Sequence, residues 1–468
     1  MSIAYPDART RTPAPWQVAI GYGAMSVAAV ALFFLIRQAG EALTVGAGAP
    51  LPAVEAPAAK SDALLHVLLA LTVVIVVGRC IGLAFRYLGQ PAVIGEVIAG
   101  ILLGPSLLGR VWPEGAAFVL PTAVAPYLGV VAQLGIIFYM FMVGLHLNAE
   151  LLRRHAHTAV AVSHASMVVP FLLGAALALW LHQPFAPSGV GFTPFALFLG
   201  VALAVTAFPV LARILTDRGI EKTELGVLAL SCAATGDATA WCVLAFVVGI
   251  ARAEVASAVL VMALTLGFIG FMLLVVRPLA AKLRDWPEER VTSGVLAAVF
   301  AAVLLSALAT EAIGIHAIFG AFLLGVVIPH DCAVARVVHH RLADVVTILL
   351  LPAFFAYTGM RTQIGLVDGG YAWLICSAII LTATVGKFGG AFLAARLTGL
   401  PNRTASALGV LMNTRGLMEL IVLNIGLDLG VISPTLFAMM VLMALVTTLA
   451  TTPILIWLKP DLTLAAPH

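Results

Sequence analysis

Long apolar runs separated by short polar loops set the pattern of this chain. Fourteen such runs can be read, at residues 17–37, 63–86, 90–108, 125–147, 156–182, 193–215, 223–250, 254–276, 291–309, 312–329, 343–361, 371–396, 404–427 and 433–457. Most approach or exceed the ~20 residues that an α-helix needs to cross a bilayer. The pattern therefore predicts an all-α polytopic membrane protein with about 14 transmembrane helices. Residues 38–62 are rich in Ala, Pro and Gly and read as a loop. The first run is long and ends at Arg37 without a clean cleavage pattern, so it reads as a retained helix rather than a signal peptide.

Composition agrees with this reading. Of 468 residues, 62% are hydrophobic and 10% are charged, whereas a soluble domain carries about 25% charged residues. The net charge of +3 is spread over loops, so no nucleic-acid partner is expected. Cys80, Cys232, Cys242, Cys332 and Cys376 show no disulfide or zinc spacing and read as small apolar core residues. With the N-terminus placed inside, alternate loops put Arg37, Lys60, Arg110, Arg252 and Arg361 outside, and most other loop lysines and arginines inside. The positive-inside rule then predicts that both termini are cytoplasmic.

The chain also repeats itself. AGILLG (99–104) resembles GAFLLG (320–325), FMVGLHL (141–147) resembles AYTGMRT (356–362), and LGV occurs at 199–201 and 408–410. Each pair lies seven runs apart, and an odd step reverses direction in the membrane. Inverted repeats of this kind are a common architecture of secondary transporters.

Few ionisable residues fall at membrane depth: the acids Glu96, Asp237 and Glu419, and the bases Arg79, Lys387 and Arg415. Arg79 can snorkel to its helix end. Glu96 follows Gly95 near a helix start and reads as a cap or a pairing residue. Asp237 is different. It sits mid-run in GVLALSCAATGDATAWCVLAFVVGI, where no end is near. A carboxylate there costs at least ~2.5 kcal/mol on insertion scales, and binding of a cation or proton would offset that cost. Lys387 lies near the middle of its own run, and a buried ammonium needs a partner. Asp237 is the partner expected, either as a pair that opens when a cation takes the carboxylate or as a permanent ion pair. His66, His164 and His316 read as hydrogen-bonded structural groups.

Two runs look interrupted. In LGVALAVTAFPVLARIL (199–215), Pro209 removes the backbone donor to residue 205. In LGVLMNTRGLMELIVLNIGL (408–427), Asn413-Thr414-Arg415-Gly416 is a polar break. Both begin with the repeated LGV, and broken helices at corresponding places in two halves point to a transport site. Unwound carbonyls, with the hydroxyls of Thr206 and Thr414, suit a small hard cation. Arg415 can neutralise a helix end and pair with Glu419 at i, i+4, which also reads as a structural salt bridge. One carboxylate among neutral oxygens suits a monovalent ion. No nucleotide-cradling loop appears, so no cofactor is expected, and a proton is the natural coupling ion.

These stretches are familiar together. LGQPAVIGEVIAGILLGPSLLG (88–109), TAFPVLARIL, GDATAW, GKFGGAFLAARL (386–397) and LMNTRGLMELIVLNIGLDLG (411–430) resemble the monovalent cation:proton antiporter-2 family. The resemblance is nearest to its plant cation/proton exchanger branch and the bacterial relatives of that branch, and it covers about residues 63–457. It implies a sodium/proton antiporter-like fold with two crossing broken helices, an elevator mechanism, and a homodimer in a bacterial-type inner membrane, serving pH homeostasis. It implies an extra helix and loop over 1–62, a dimer or scaffold domain over 63–147 and 291–361, a linker helix at 254–276, and a moving core over 156–250 and 371–457. It places the ion-binding aspartate on Asp237, the core lysine on Lys387 and a broken-helix threonine on Thr206. The site expected is therefore Asp237, Thr206, Lys387, Asn413 and Thr414, supported by Arg415, Glu419, Pro209 and Gly236.

Gly236 departs from the family pattern. Electrogenic members carry a second acid there, so a single acid predicts electroneutral exchange of K+ or Na+ for H+. Potassium-efflux members end in a nucleotide-binding regulatory domain, which is not expected here. A cation channel or uniporter and an organic anion symporter are the alternatives, and no paired acids or nucleophile–base set suggests an enzyme.

Overall fold

The computed structural model describes residues 15–40, 63–145, 156–221, 223–252 and 255–458. Most of the loop expected over 38–62, and the loop arginines Arg153 and Arg154, lie outside the described residues. The main helices are α1 (Pro15–Gly40), α2 (Ala63–Tyr87), α3 (Ala92–Leu103), α4 (Ala125–Leu145), α5 (Ala156–Phe185), α6 (Phe192–Ala204), α7 (Phe208–Asp217), α8 (Glu224–Arg252) and α9 (Val255–Phe271). They continue with α10 (Ser293–Ile313), α11 (Ala317–Val327), α12 (Ala333–Asp344), α13 (Leu351–Arg361), α14 (Gly369–Leu397), α15 (Asn402–Met412), α16 (Leu417–Asp428) and α17 (Pro434–Leu458). No strand occurs among the described residues.

The chain is a multi-pass membrane protein. Among the described residues ten helices are long and apolar enough to cross a bilayer, and eleven if the bent pair α15–α16 is taken as one span. The expected count of fourteen is not confirmed among them. Within the described residues every apolar run folds as helix, but α1 counts only over Val30–Ala39, and α6 and α11 are too short to span unaided, because their runs contain a break or end early. The run expected as a linker helix at 254–276 passes without a gap through a π-helical turn at Met272–Val276 into Arg277–Ala281.

Helices pack in two groups. In one, α3 lies on α2 and α13, and α4 lies on α11 and α13. In the other, α5 lies on α14, α6 and α8, and α14 lies on α15 and α17. The repeat motifs explain both. Gly104 and Gly325 end AGILLG and GAFLLG, and Gly144 and Gly359 hold matching places in the second motif pair. A Cβ on Gly104 would strike the Gly359 carbonyl oxygen, and one on Gly325 would lie 2.9 Å from Gly144 Cα. The same backbone approach thus occurs twice, with the halves exchanged. The LGV pair behaves likewise. A Cβ on Gly200 would lie 2.9 Å from Phe171 Cδ2, and one on Gly409 would lie 2.9 Å from Phe388 Cδ2. Such glycines let helix backbones touch, which is how helices associate where no hydrophobic driving force acts between them.

Glu96 does not cap its helix. The N-cap of α3 is Pro91, with no side-chain bond, and the Glu96 stem lies against Gly78 and Gly82 of α2. Among the intramembrane histidines, His164 bonds the Val160 carbonyl (2.8 Å) and His66 meets the Phe118 ring edge-on.

Candidate functional site

Both interrupted runs are broken helices, and they meet. The first breaks between α6 and α7 at Val205-Thr206-Ala207, and the second between α15 and α16 at Asn413–Gly416, where the axis bends by 42°. Backbone joins the two breaks directly: Ala207 N donates to the Thr414 carbonyl at 3.0 Å. The Thr206 hydroxyl donates to the Met412 carbonyl at 3.4 Å. A Cβ on Gly416 would lie 2.7 Å from Val210 Cγ2, so this crossing needs a glycine. Pro209 is expected from the sequence to leave residue 205 without a donor, and the break begins at that residue. The chain has already left helix at Val205, and Pro209 falls in the first turn of α7, where its missing N–H costs nothing.

A helix that ends inside a membrane leaves its last four carbonyls without partners. At the end of α6 all four can be accounted for. Val201 O accepts from Val205 N (3.1 Å). Ala202 O and Leu203 O accept from Arg415 Nη1 (3.1 Å) and Nη2 (2.7 Å). Ala204 O accepts from Lys387 Nζ, which also donates to the Thr206 hydroxyl. Two cations thus close the negative end of the helix dipole. Arg415 Nη1 also bonds Glu419 Oε2 at 2.9 Å, both side chains being fully buried. Glu419 in turn stands in the first turn of α16, at the positive end of that half-helix. Thr448 of α17 locks the break by accepting from Arg415 N (2.9 Å) and donating to Arg415 O (2.7 Å).

The expected Lys387–Asp237 pair does not form. Lys387 spends its proton donors on the α6 end, and its charge acts on Asp237 only through space. Asp237 is 1% exposed, and neither carboxylate oxygen has a partner. Asn413 Oδ1 and Thr414 Oγ1, at the second break, are also buried without partners. The residues divide by what they do. Thr206, Lys387, Arg415 and Glu419 are bonded to one another or to helix ends, although Arg415 Nε and Glu419 Oε1 stay without partners, whereas on Asp237, Asn413 and Thr414 the buried acceptor oxygens have no bond at all.

Sequence reasoning missed two residues. Ser163 of α5 is 2% exposed with an unpartnered hydroxyl, and Tyr139 of α4 lies within electrostatic reach of Asp237. No spacing ties either to Asp237. Only the packing of α4 and α5 brings them near, so no linear signal could have found them.

Comparison with known proteins gives a consistent picture. Residues 69–458 match the family described as sodium/hydrogen exchanger, transmembrane. The chain is 42% identical over 404 residues to the Na(+)/H(+) antiporter NhaS4 of Synechocystis sp., covering 86% of this chain and 98% of that protein. It is 38% identical over 397 residues to Cation/H(+) antiporter 20 of Arabidopsis thaliana, covering 81% of this chain but only 47% of the plant protein. The chain thus spans about half the length of that plant relative. Among solved structures, the sodium proton antiporter MjNhaP1 from Methanocaldococcus jannaschii superposes with a TM-score of 0.62 at 15% identity, over 86% of this chain and 100% of that one. At that identity the likeness concerns the fold alone.

Proposed function

The chain belongs to the sodium/hydrogen exchanger family, and on that premise we propose that it exchanges a monovalent cation, K+ or Na+, for protons across a membrane. Asp237 holds either ion in turn. The observation that carries this reading is a fully buried carboxylate with both oxygens unpartnered. A buried ion without a partner is among the costliest arrangements a protein can hold. A bound cation or a proton removes that cost, and the two compete for the same oxygens. Exchange then follows from occupancy, with no further coupling device. Asn413 Oδ1 and Thr414 Oγ1 supply neutral oxygens that can replace water around the cation. Thr206 is held by Lys387 and serves the site by fixing the break.

Lys387 and Arg415 keep the broken helix intact in the absence of the ion. Their two charges balance Glu419 and an ionised Asp237. Lys387 bonds the α6 end rather than Asp237, so it need not release a proton when the cation enters. One proton leaves for each monovalent cation bound, which makes the exchange electroneutral. The group built on α5–α8 and α14–α17 is the moving core. The group built on α2–α4 and α10–α13 is the fixed scaffold and carries the homodimer contact, and the core slides against it as an elevator. Both termini face the cytoplasm.

Reconstituted proteoliposomes test this. Each alkali cation, added across a pH series, drives proton movement in the wild type, with a rate indifferent to an imposed potential. Asp237→Asn reduces it to background while the protein remains folded. Unaltered exchange in that variant removes the site assignment. Cation flux independent of pH marks a channel instead.

A further inference from the structure

Buried hydroxyls on membrane helices have an easy partner, because the carbonyl one turn back is always within reach. The helix that carries Asp237 uses it throughout. Ser231 donates to Val227 O (2.8 Å), Thr235 to Ser231 O (2.8 Å) and Thr239 to Thr235 O (3.0 Å). On α5, Ser166 donates to Ser163 O at 2.8 Å. Ser163 declines this option. Its hydroxyl is buried and makes no hydrogen bond.

What it faces is Gly236. A Cβ built on Gly236 would lie 3.0 Å from Ser163 Oγ, and among the described residues no other atom of a neighbouring element comes within 4 Å of that point. The space that the first atom of a side chain at 236 would enter is therefore bounded, among these residues, by that one hydroxyl, at a distance tighter than ordinary contact. It adjoins the turn that carries Asp237, whose two oxygens are also unpartnered. We propose that Ser163 Oγ is a ligand of the transported cation, supplying from α5 the second oxygen that an acid at 236 would otherwise supply from α8. This inference rests on Asp237 being the exchange site. It also gives Gly236 a reason. Any side chain there closes the space, and an acid would double the charge of the cage. A neutral hydroxyl keeps the site at one negative charge and leaves discrimination among alkali ions to the Ser163 lone pairs.

The test uses the full chain in proteoliposomes, with exchange measured against Li+, Na+, K+ and Rb+. Ser163→Ala is expected to raise the KM for the preferred ion about tenfold, the worth of one lost ligand of hydrogen-bond strength. It is also expected to change the order of preference among the ions, with kcat changed less than about twofold. Adding Gly236→Ser to Ser163→Ala returns a hydroxyl to the same space from the opposite wall and restores the KM, whereas Gly236→Ala in that background does not. Ser163→Thr keeps the hydroxyl and retains the wild-type ion order, which covers the case where Ser163→Ala folds poorly. A purely structural serine would not move the ion order. Unchanged KM and ion order in Ser163→Ala, with Asp237→Asn inactive, overturn the Ser163 assignment and leave the Asp237 reading standing. Exchange that survives Asp237→Asn overturns the reading beneath it.

Discussion

The glycine-paired contacts between α3 and α13 and between α4 and α11 differ in kind from the crossing of the two broken helices. In the first region backbones touch, and the buried hydroxyls nearby are bonded: Ser306 donates to Gly320 O (2.7 Å) and Thr362 to Thr358 O (2.7 Å). At these glycine contacts no room remains for even one added methyl group. In the second region one layer of polar groups is bonded, with only Arg415 Nε and Glu419 Oε1 left over, and the side-chain oxygens of a second layer, Asp237, Asn413, Thr414 and Ser163, are left open. Each open group costs on the order of 1–3 kcal/mol. The membrane interior gives no water to repay that, and under the proposed exchange a visiting ion would do so. Under the proposed exchange, the tightly packed glycine contacts act as a rail and the bonded frame around open oxygens as the site.

The bonded frame predicts the largest change in stability. Arg415→Ala leaves Glu419 charged and unpaired, and frees the carbonyls of Ala202 and Leu203. A loss of about 3–5 kcal/mol is expected for breaking a buried pair of this kind, seen as a fall in melting temperature in detergent. Replacing both partners, Arg415→Met with Glu419→Leu, is expected to cost less than Arg415→Ala alone. If the double variant is the less stable one, the frame is held by the pair itself rather than by the need to neutralise it. Asp237→Asn is the counter-experiment. It removes an unpaired charge, so the melting temperature holds or rises while exchange is lost. A large fall would mean that Asp237 belongs to the bonded layer.

Much of this contrast was legible in the chain. The apolar runs gave the helices because nothing else buries twenty such residues in a row. AGILLG, GAFLLG and the two LGV triplets pointed to the repeat, and the structure makes each of them a matched close contact. Asn413-Thr414-Arg415-Gly416 marked the second break because polar residues and glycine interrupt an apolar helix. Three things were not legible. Pro209 marks a first turn as readily as a kink, and its sequence position does not say which. Lys387 had several oxygens within reach of a flexible stem, and it satisfied a helix end rather than a carboxylate. Ser163 resembles any helix serine until its hydroxyl is seen to turn away from its own backbone.

The rail predicts a middle-sized effect. A Cβ on Gly359 would overlap the Gly100 carbonyl, so even Gly359→Ala must push α3 away from α13. A loss of about 1–3 kcal/mol is expected, as for other overpacked interiors. Gly189, with nothing within 4 Å of its Cβ position, is the control for space alone, although its φ of 84° adds a local cost of its own. Gly359→Ala that melts like the wild type would mean that the two backbones separate freely, and the rail would then be no more rigid than the site.

The smallest effect falls where the two regions touch. Arg361, at the end of α13, bonds Asp428 at the end of α16 at 2.6 Å and Asn424 Oδ1 at 3.2 Å. Asn424 Nδ2 bonds Thr358 Oγ1 at 2.9 Å. These bonds tie the rail to a half-helix of the site. If the core slides, they must open in every cycle. The ion pair is partly exposed, with side-chain exposures of 20% and 38%, so its coupling should be only about 0.2–1 kcal/mol. A double-mutant cycle of Arg361→Gln and Asp428→Asn measures that coupling in melting temperature, and the same variants are followed in exchange rate. A pair that holds one end-state should give variants with a turnover changed by up to about fivefold, as this coupling allows at about 1.4 kcal/mol per tenfold, and with the ion order of the wild type kept. Coupling without any change in rate would mean that α16 and α13 move together, and the boundary between rail and site would have to be drawn elsewhere.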